Sequence, residues 1–197
     1  MRFCDERAFG FGWLDQDDPL RRTSHALVAD GGVWLVDPVA WPAAEARAHE
    51  LGRPLGVVQL LDRHERDCAE TAARLGVPHH VVPTARIEGA PFDFLRVACS
   101  RFWRESALWW PIPRVLVVAD ALGTVGYFRA PGEPIGVHPM LRLRPPSSLR
   151  RVFPEHVLTG HGAGVHADAA HALHRALRTS RRRLPAALWS AFRSRAS

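Results

Sequence analysis

Short hydrophobic runs separated by turn-forming residues and amphipathic segments extend along this chain of 197 residues. Between His25 and Asp37, two β-prone runs flank Asp30-Gly31-Gly32, a sequence typical of a tight hairpin turn. The spacing of alanine and leucine after Pro42 predicts a helix to Leu51, and the continuously apolar run 55–61 predicts a strand covered on both faces. The chain is therefore expected to open with a hairpin followed by a β-α-β unit.

The remaining pattern predicts further strands and helices. A helix is expected over 67–75, ended by Gly76, and a short strand over 79–83. Residues 84–113 show no clear period and are predicted to be irregular, while 131–146 are rich in Pro and Gly and are typical of a surface loop. The clearest buried strand covers 114–120, a last strand covers 157–159, and helices are expected over 167–178 and after Pro185.

Length and composition favour one α/β domain spanning 1–197. Hydrophobic residues make up 47% and charged residues 23%, a balance typical of a folded globular chain. Every apolar run is shorter than the roughly 20 residues of a spanning helix, and the first ten residues contain no apolar signal segment. Three scattered cysteines do not favour a disulfide framework. We therefore expect a cytoplasmic protein without a membrane span; its oligomeric state stays open.

The basic residues are of one kind and are unevenly distributed along the chain. All 26 are arginine, the formal net charge is +6, and arginines crowd the last third of the chain. This third is a candidate phosphate-binding face, and residues 181–189 are candidates for contact with an anionic surface or a partner. No zinc-finger, helix-turn-helix or RNP pattern is present, which argues against nucleic-acid binding. An arginine-rich nucleic-acid accessory protein is retained only as a weaker alternative to a solvated basic surface.

Four stretches, taken in order, carry a resemblance to a known family. The hairpin ends in Asp37, residues 60–68 follow a buried strand, the strand 114–120 ends in Asp120, and the last strand runs into Gly160-His161-Gly162. This order resembles the metallo-β-lactamase superfamily, whose fold is an αββα sandwich of two mixed sheets flanked by helices. The resemblance implies a metal site at the strand ends, with Asp120 as the bridging aspartate and His161 as the last ligand.

The segment in the place of the family's H-x-H-x-D-H motif departs from it. One register takes Asp62 as the first ligand and places His64, Arg66 and Asp67 at the remaining positions. The other takes Asp67 as the motif's aspartate and places Arg63, Glu65 and Cys68 at the histidine positions. We prefer the first, because it keeps a histidine in a histidine position directly after the strand. Residues 94–111 contain no histidine, so the ligand that normally precedes the bridging aspartate is absent.

The resemblance therefore implies at most one divalent metal, which imidazole and carboxylate ligands suit as zinc, iron or manganese. The implied ligands are His64, Asp67, Asp120 and His161, with Asp62 as a spare; Asp67, Asp120 and Arg66 are the implied catalytic residues. Such a site would hydrolyse an ester, thioester or phosphoester, with Arg63 or Arg66 steadying negative charge.

Plainer roles stay open for the same residues. The spacing of Asp67 and Glu70 is that of a helix capping box, His64 suits a loop histidine bonded to a carboxylate, and Asp120 with His161 suits a buried acid–imidazole pair. Because arginine cannot coordinate a metal, Arg63 or Arg66 beside these carboxylates would replace the metal's charge. The alternative function is therefore a non-catalytic, metal-free descendant of the fold that binds an anionic small molecule or a partner.

Overall fold

Two β-sheets face each other in the computed structural model, which describes residues 1–63 and 66–195. The first sheet has six strands that lie side by side in chain order. The first four strands are antiparallel neighbours, whereas the last three run parallel to one another. Its strands are β1 (Arg2–Arg7), β2 (Gly10–Leu14), β3 (Thr23–Ala29), β4 (Gly32–Val36), β5 (Arg53–Gln59) and β6 (His79–Val81).

The second sheet has four strands in the order β12-β9-β8-β7. Its strands are β7 (Asp93–Ser100), β8 (Trp103–Trp110), β9 (Val115–Val118) and β12 (His156–Thr159), of which β9 and β12 are parallel. A two-stranded ribbon of β10 (Leu122–Gly123) and β11 (Gly136–Val137) follows β9 along the chain. Two 3-10 turns, Pro139–Leu141 and Ser147–Arg151, precede β12.

Helices cover the outer face of each sheet. Helices α1 (Pro42–Leu51) and α2 (Cys68–Leu75) cover the first sheet, with Ala44 and Ala72 in one buried cluster with Leu35. Helix α3 (Ala169–Thr179) covers the second sheet through Leu173 and Leu177, and α4 (Leu184–Arg195) follows it. A third cluster, which includes Leu27, Val58, Leu108, Val117 and Leu158, lies between the sheets. The layers are thus helix, sheet, sheet, helix, which confirms the expected αββα sandwich.

Several expected elements are confirmed and others are wrong. The hairpin of β3 and β4 turns at Asp30 and Gly31, which both have positive φ, as this tight turn requires. Helix α1 has the expected bounds. The irregular structure expected over 84–113 is wrong, because this segment contains the hairpin of β7 and β8. The chain also opens with β1 and β2, two strands that precede the expected hairpin.

Backbone bonds join the two sheets at one edge. Thr23 N donates to Gly160 O at 2.8 Å, and Gly162 N donates to Arg21 O at 3.0 Å. Ser106 N donates to Leu60 O at 2.9 Å, which links the end of β5 to β8. These bonds bring the carboxyl ends of β4, β5, β9 and β12 together, so the segments that follow those strands share one site. Among the described residues, no helix is long and apolar enough to cross a membrane.

Candidate functional site

Asp37 fixes the end of the first sheet. Its side chain is 2% exposed, its φ of 45° is left-handed, and its Oδ1 accepts from Leu60 N at 2.9 Å. Its backbone oxygen accepts from Ser24 Oγ at 2.8 Å. A carboxylate that bonds to the neighbouring strand in this way ties the ends of β4 and β5 together, so Asp37 has a structural role at the base of the site.

Asp120 and His161 form the centre of the site. They follow the parallel neighbours β9 and β12, and His161 Nε2 lies 2.9 Å from Asp120 Oδ1. His161 Nδ1 lies 3.0 Å from Leu20 O, so both ring nitrogens face oxygen acceptors. The hydrogen-bonded acid–imidazole pair, one of the roles that the sequence left open for these two residues, is therefore present.

Arg63 is the arginine that approaches Asp120. Its Nη2 lies 3.9 Å from Asp120 Oδ2, at the outer limit of an ion pair, and its side chain is 44% exposed. Its guanidinium lies over the Trp103 ring at 4.2 Å, and its Nη1 donates to Phe102 O at 3.2 Å. The aromatic face and the carbonyl hold the cation beside the carboxylate while leaving part of it open to solvent.

Arg66 has a different position, beneath the site. Its Nη1 donates to Thr23 O at 2.6 Å and to Asp37 O at 3.0 Å, and its Nη2 donates to Gly160 O at 3.0 Å. These three carbonyls belong to the ends of different strands in both sheets. The Arg66 guanidinium is thus a cation that joins the strand ends from within, and its donors point to the backbone.

Asp62 and Asp67 are committed to other partners. Asp62 Oδ2 accepts from Arg104 Nε at 3.1 Å, and this arginine holds the pKa of Asp62 below its ordinary value against the opposing effect of burial. Asp67 Oδ2 accepts from Ala40 N at 2.6 Å. Asp67 precedes α2, but its side chain makes no hydrogen bond to the helix, so the expected capping box does not form. His64 lies outside the described residues.

Glu105 is a buried acid that sequence reasoning missed. Its side chain is 0% exposed; Oε1 accepts from Asp120 N at 3.1 Å and from Ala121 N at 3.0 Å, and Oε2 accepts from Trp103 Nε1 at 2.7 Å. Burial raises the pKa of Glu105 to about 8, and it outweighs the donated hydrogen bonds. Glu105 therefore positions the backbone of Asp120, and it carries a titration near neutral pH.

His138 was also missed, because it lies within the segment expected to be a surface loop. Its ring is 8% exposed and contacts the rings of Trp103, Tyr127 and Phe128, and its Nδ1 accepts from Met140 N at 3.2 Å. Burial lowers the pKa of His138 to about 4, against the attraction of Asp120. His138 is therefore neutral at pH 7 and carries its proton on Nε2.

A buried ion pair orders the loop that carries His138. Arg142 is 0% exposed; its Nη2 lies 2.7 Å from Glu133 Oε2 and donates to Phe128 O at 2.7 Å, and its Nε donates to Val137 O at 3.1 Å. Arg142 is therefore not part of the basic surface expected for the last third. The loop is a built wall of the site, held by charge-assisted bonds.

The described residues do not fit a metal ion. Among them, no group of three or more His, Cys, Asp or Glu side chains is placed to hold one. Of the expected ligands in that part of the chain, only Asp120 and His161 come together, while Asp62 and Asp67 bond elsewhere. The Arg66 guanidinium, which cannot coordinate, occupies the strand ends. A complete ligand set would have to include His64.

A cleft of about 740 Å³ opens beside His161, between the loop before β3 and the segment 162–167. Arg2, Arg21 and Arg129 line it, and its lining contains no Asp or Glu. None of these three arginines forms an ion pair with a carboxylate in residues 1–63 and 66–195. Val125 and Val165 add an apolar wall. The cleft thus presents uncompensated positive charge next to a hydrophobic surface.

The fold is that of metallo-β-lactamases. DIM-1 metallo-β-lactamase superposes with a TM-score of 0.55 at 10% identity, over 91% of this chain and 97% of that one. BLEG-1 B3 metallo-β-lactamase superposes with a TM-score of 0.56 at 13% identity, over 78% of this chain and 93% of that one. A metallo-β-lactamase from Erythrobacter litoralis superposes with a TM-score of 0.57 at 10% identity, over 91% of this chain and 92% of that one.

No family model matches the sequence, and no curated protein matches it. Similarity at this level of identity establishes the architecture, and it confirms the resemblance drawn from the order of the four stretches. The fold alone does not define the activity, which depends on the residues of the site.

Proposed function

We propose that this protein is a metal-free binding protein on the metallo-β-lactamase fold, and that it takes an anionic small molecule into the cleft beside His161. The observation that carries the proposal is the convergence of Arg2, Arg21 and Arg129 on one cleft whose lining has no carboxylate. Like charges gathered without a counterion repel one another, and a bound anion removes that cost. Guanidinium groups are also the side chains best suited to phosphate and carboxylate groups.

The cleft also limits the kind of anion. Arg129 Nη1 donates to Glu133 O at 3.3 Å, so one of its nitrogens is anchored while the guanidinium borders the cleft. The apolar lining from Val125 and Val165 favours a ligand whose anionic group is joined to a hydrophobic part. An organic phosphate or carboxylate has this combination, whereas a bare inorganic ion uses only the arginines.

Binding rather than hydrolysis is supported by the way the central site is satisfied. Arg66 links three backbone oxygens at the strand ends, and Asp120 is bonded to His161. Arg66 thus provides a cation from the chain itself at the place where the family holds metal, and Asp120 and His161 are hydrogen-bonded to each other. Arg66 is thus engaged in holding the two sheets together, and the Asp120–His161 contact joins the ends of β9 and β12 within the second sheet.

The test is calorimetric titration with pyrophosphate, an alkyl phosphate and an alkyl carboxylate of equal chain length. We expect saturable binding that Arg21→Gln and Arg129→Gln each weaken by about tenfold, as for loss of a charged hydrogen bond. Arg86→Gln is the matched control, because it removes the same charge from an exposed arginine paired with Asp93. Equal weakening in the control, or no saturable binding of any of the three probes, would contradict the proposal. Preference between the two alkyl probes identifies the anionic group.

A one-metal hydrolase of an ester, thioester or phosphoester is the second candidate function. The observation in its favour is the orientation of His161, whose Nδ1 is held by Leu20 O while Nε2 faces Asp120, as in many metal-binding histidines. This function requires His64 as a further ligand. Elemental analysis of protein purified without chelator separates the candidates: about one zinc, iron or manganese per chain, lost in His161→Ala and in Asp120→Ala, would favour the hydrolase.

A further inference from the structure

Helix α4 has its large apolar side chains on the outside. Ala187 and Ala191, one turn apart, are 0% and 7% exposed and form the inner face. Leu188, Trp189 and Phe192 are 52%, 62% and 71% exposed. A helix that stabilises a fold in water normally turns its large apolar residues inward. This reversed arrangement indicates that the outer face of α4 is built for contact with another apolar phase.

The segment next to α4 has the same character. The 3-10 turn Pro139–Leu141 packs against α4, and Met140 and Leu143 are 74% and 59% exposed. Arg181 Nε donates to Leu143 O at 2.7 Å, which fixes this segment at the start of α4. Two neighbouring elements thus expose five large apolar side chains close together, and such a contiguous patch marks an interaction surface.

Charge around these elements is of one sign. A groove of about 490 Å³ beside them is lined by Arg144, Arg150, Arg178 and Arg181, and no acidic residue lines it. Residues 169–197 contain seven arginines and no Asp or Glu. No carboxylate forms an ion pair with any of the four groove arginines in the part of the chain that the structure describes. The surface therefore combines hydrophobic side chains with a strong, uncompensated positive field.

We propose that α4 and the adjacent 3-10 turn form a docking surface for a bilayer of anionic phospholipid. Exposed Leu, Trp and Phe beside arginines is the combination that lies at the boundary of headgroups and acyl chains, where the apolar side chains enter the bilayer and the guanidiniums meet phosphate. At 12 residues, α4 is about 18 Å long, which suits a helix lying in the interface plane. A nucleic acid would use the arginines and leave the aliphatic side chains in water.

Co-sedimentation tests this with vesicles of phosphatidylcholine alone and vesicles that also contain phosphatidylglycerol. We expect binding to the anionic vesicles, weaker binding at high salt, and little binding to the neutral ones. The double variant Leu188→Gln/Phe192→Gln should bind the anionic vesicles about tenfold more weakly, since two apolar side chains no longer enter the bilayer. Arg144→Gln/Arg178→Gln should weaken binding through charge alone. The matched control is Phe102→Gln, an equally exposed phenylalanine at 69% on the turn between β7 and β8.

Three outcomes would overturn the proposal. The first is that the wild-type protein does not sediment with anionic vesicles. The second is that Phe102→Gln weakens sedimentation as much as the α4 variants do. The third is that the α4 double variant binds as well as the wild-type protein. If the same double variant turns a dimer into a monomer without changing vesicle binding, the α4 surface contacts a second copy of this chain instead of a bilayer. If the arginine variant alone binds RNA more weakly and vesicle binding is absent, the surface binds a nucleic acid through its arginines. Circular dichroism of each variant verifies that it is folded.

Discussion

Replacing Arg66 by methionine tests whether a side-chain cation holds the strand ends together. Methionine has a similar reach but no donors, so the three bonds to Thr23, Asp37 and Gly160 are lost. Hydrogen bonds from a charged group each contribute about 1.5–3 kcal/mol net. The Asp37 and Gly160 oxygens keep a second donor, Ser24 Oγ and Thr23 N, so the full sum does not apply. We expect the free energy of unfolding to fall by about 3 kcal/mol, because two of the three buried carbonyl oxygens keep a hydrogen-bond donor and only the third is left without one from Arg66.

Urea unfolding followed by circular dichroism measures this change, with Arg63→Met as the control. Arg63→Met removes the same charge, but the Arg63 side chain is 44% exposed and donates to one carbonyl, Phe102 O. An exposed interaction of this kind contributes at most about 1 kcal/mol. The reasoning is refuted if Arg66→Met unfolds within about 1 kcal/mol of wild type, or if Arg63→Met costs as much as Arg66→Met.

A chelator adds an independent arm to the same experiment. If Arg66 supplies the cation that joins the strand ends, the unfolding curve of the wild-type protein is unchanged by chelator. A bound metal stabilises the folded state by mass action, so its removal shifts the midpoint. A chelator-induced loss of stability in the wild-type protein would therefore favour the one-metal candidate and the participation of His64.

Two further predictions concern pH. Folding raises the pKa of Glu105 from 4.5 to about 8, so within this window the folded state binds a proton that the unfolded state has released, and the free energy of unfolding falls as pH rises. Glu105→Gln should remove a slope of up to about 1.4 kcal/mol per pH unit, measured as the difference between variant and wild type; parallel curves would contradict the raised pKa. Folding lowers the pKa of His138 from 6.5 to about 4, so its stabilising contribution is present above pH 6.5 and is lost as pH falls through this window. His138→Gln should therefore flatten the acid side of the wild-type curve, and an unchanged acid side would show that His138 is not buried in its neutral form.

The elements that followed from sequence are those with strong local signals. The resemblance of the four stretches placed Asp120 and His161 in one site, and they meet because β9 and β12 are parallel neighbours whose carboxyl ends lie at one edge. The turn at Asp30 and Gly31 and the helix beginning at Pro42 carry local backbone preferences that tertiary context did not override. Local signals were therefore enough for these elements, whereas the fold and the central pair followed from the resemblance.

The elements that sequence missed depend on contacts between distant segments. Strand β2 contains Gly10 and Gly12, which weaken a strand signal, but a Cβ at Gly10 would lie 1.9 Å from Ala26 O. Glycine is therefore required there for β2 to approach β3. Strand β7 is half exposed and its register shifts between Arg96 and Ala98, so no clear alternation appears.

The missed site residues have the same explanation at side-chain level. Glu105 is an acid within β8, and its burial makes sense only once the backbone amides of Asp120 and Ala121 are in place to donate to it. His138 is buried because Arg142 and Glu133 order a loop whose composition alone indicates exposure. Neither arrangement leaves a local pattern, although a glutamate in an otherwise apolar aromatic stretch is a signal that merits a search for donors.

In the proposed binding protein, the arginines of the central site and those of the cleft have different roles. At the strand ends, Arg66 bonds to backbone oxygens of both sheets, so its charge is used internally to hold the architecture. In the cleft, Arg2, Arg21 and Arg129 have no carboxylate among the lining residues, so their charge is available to a ligand. Guanidinium is permanently charged at any physiological pH. A site built on guanidinium therefore keeps its affinity for anions at a pH where a histidine-based site would lose it. The charge-matched variants distinguish the structural arginine, Arg66, from the arginines that face the cleft.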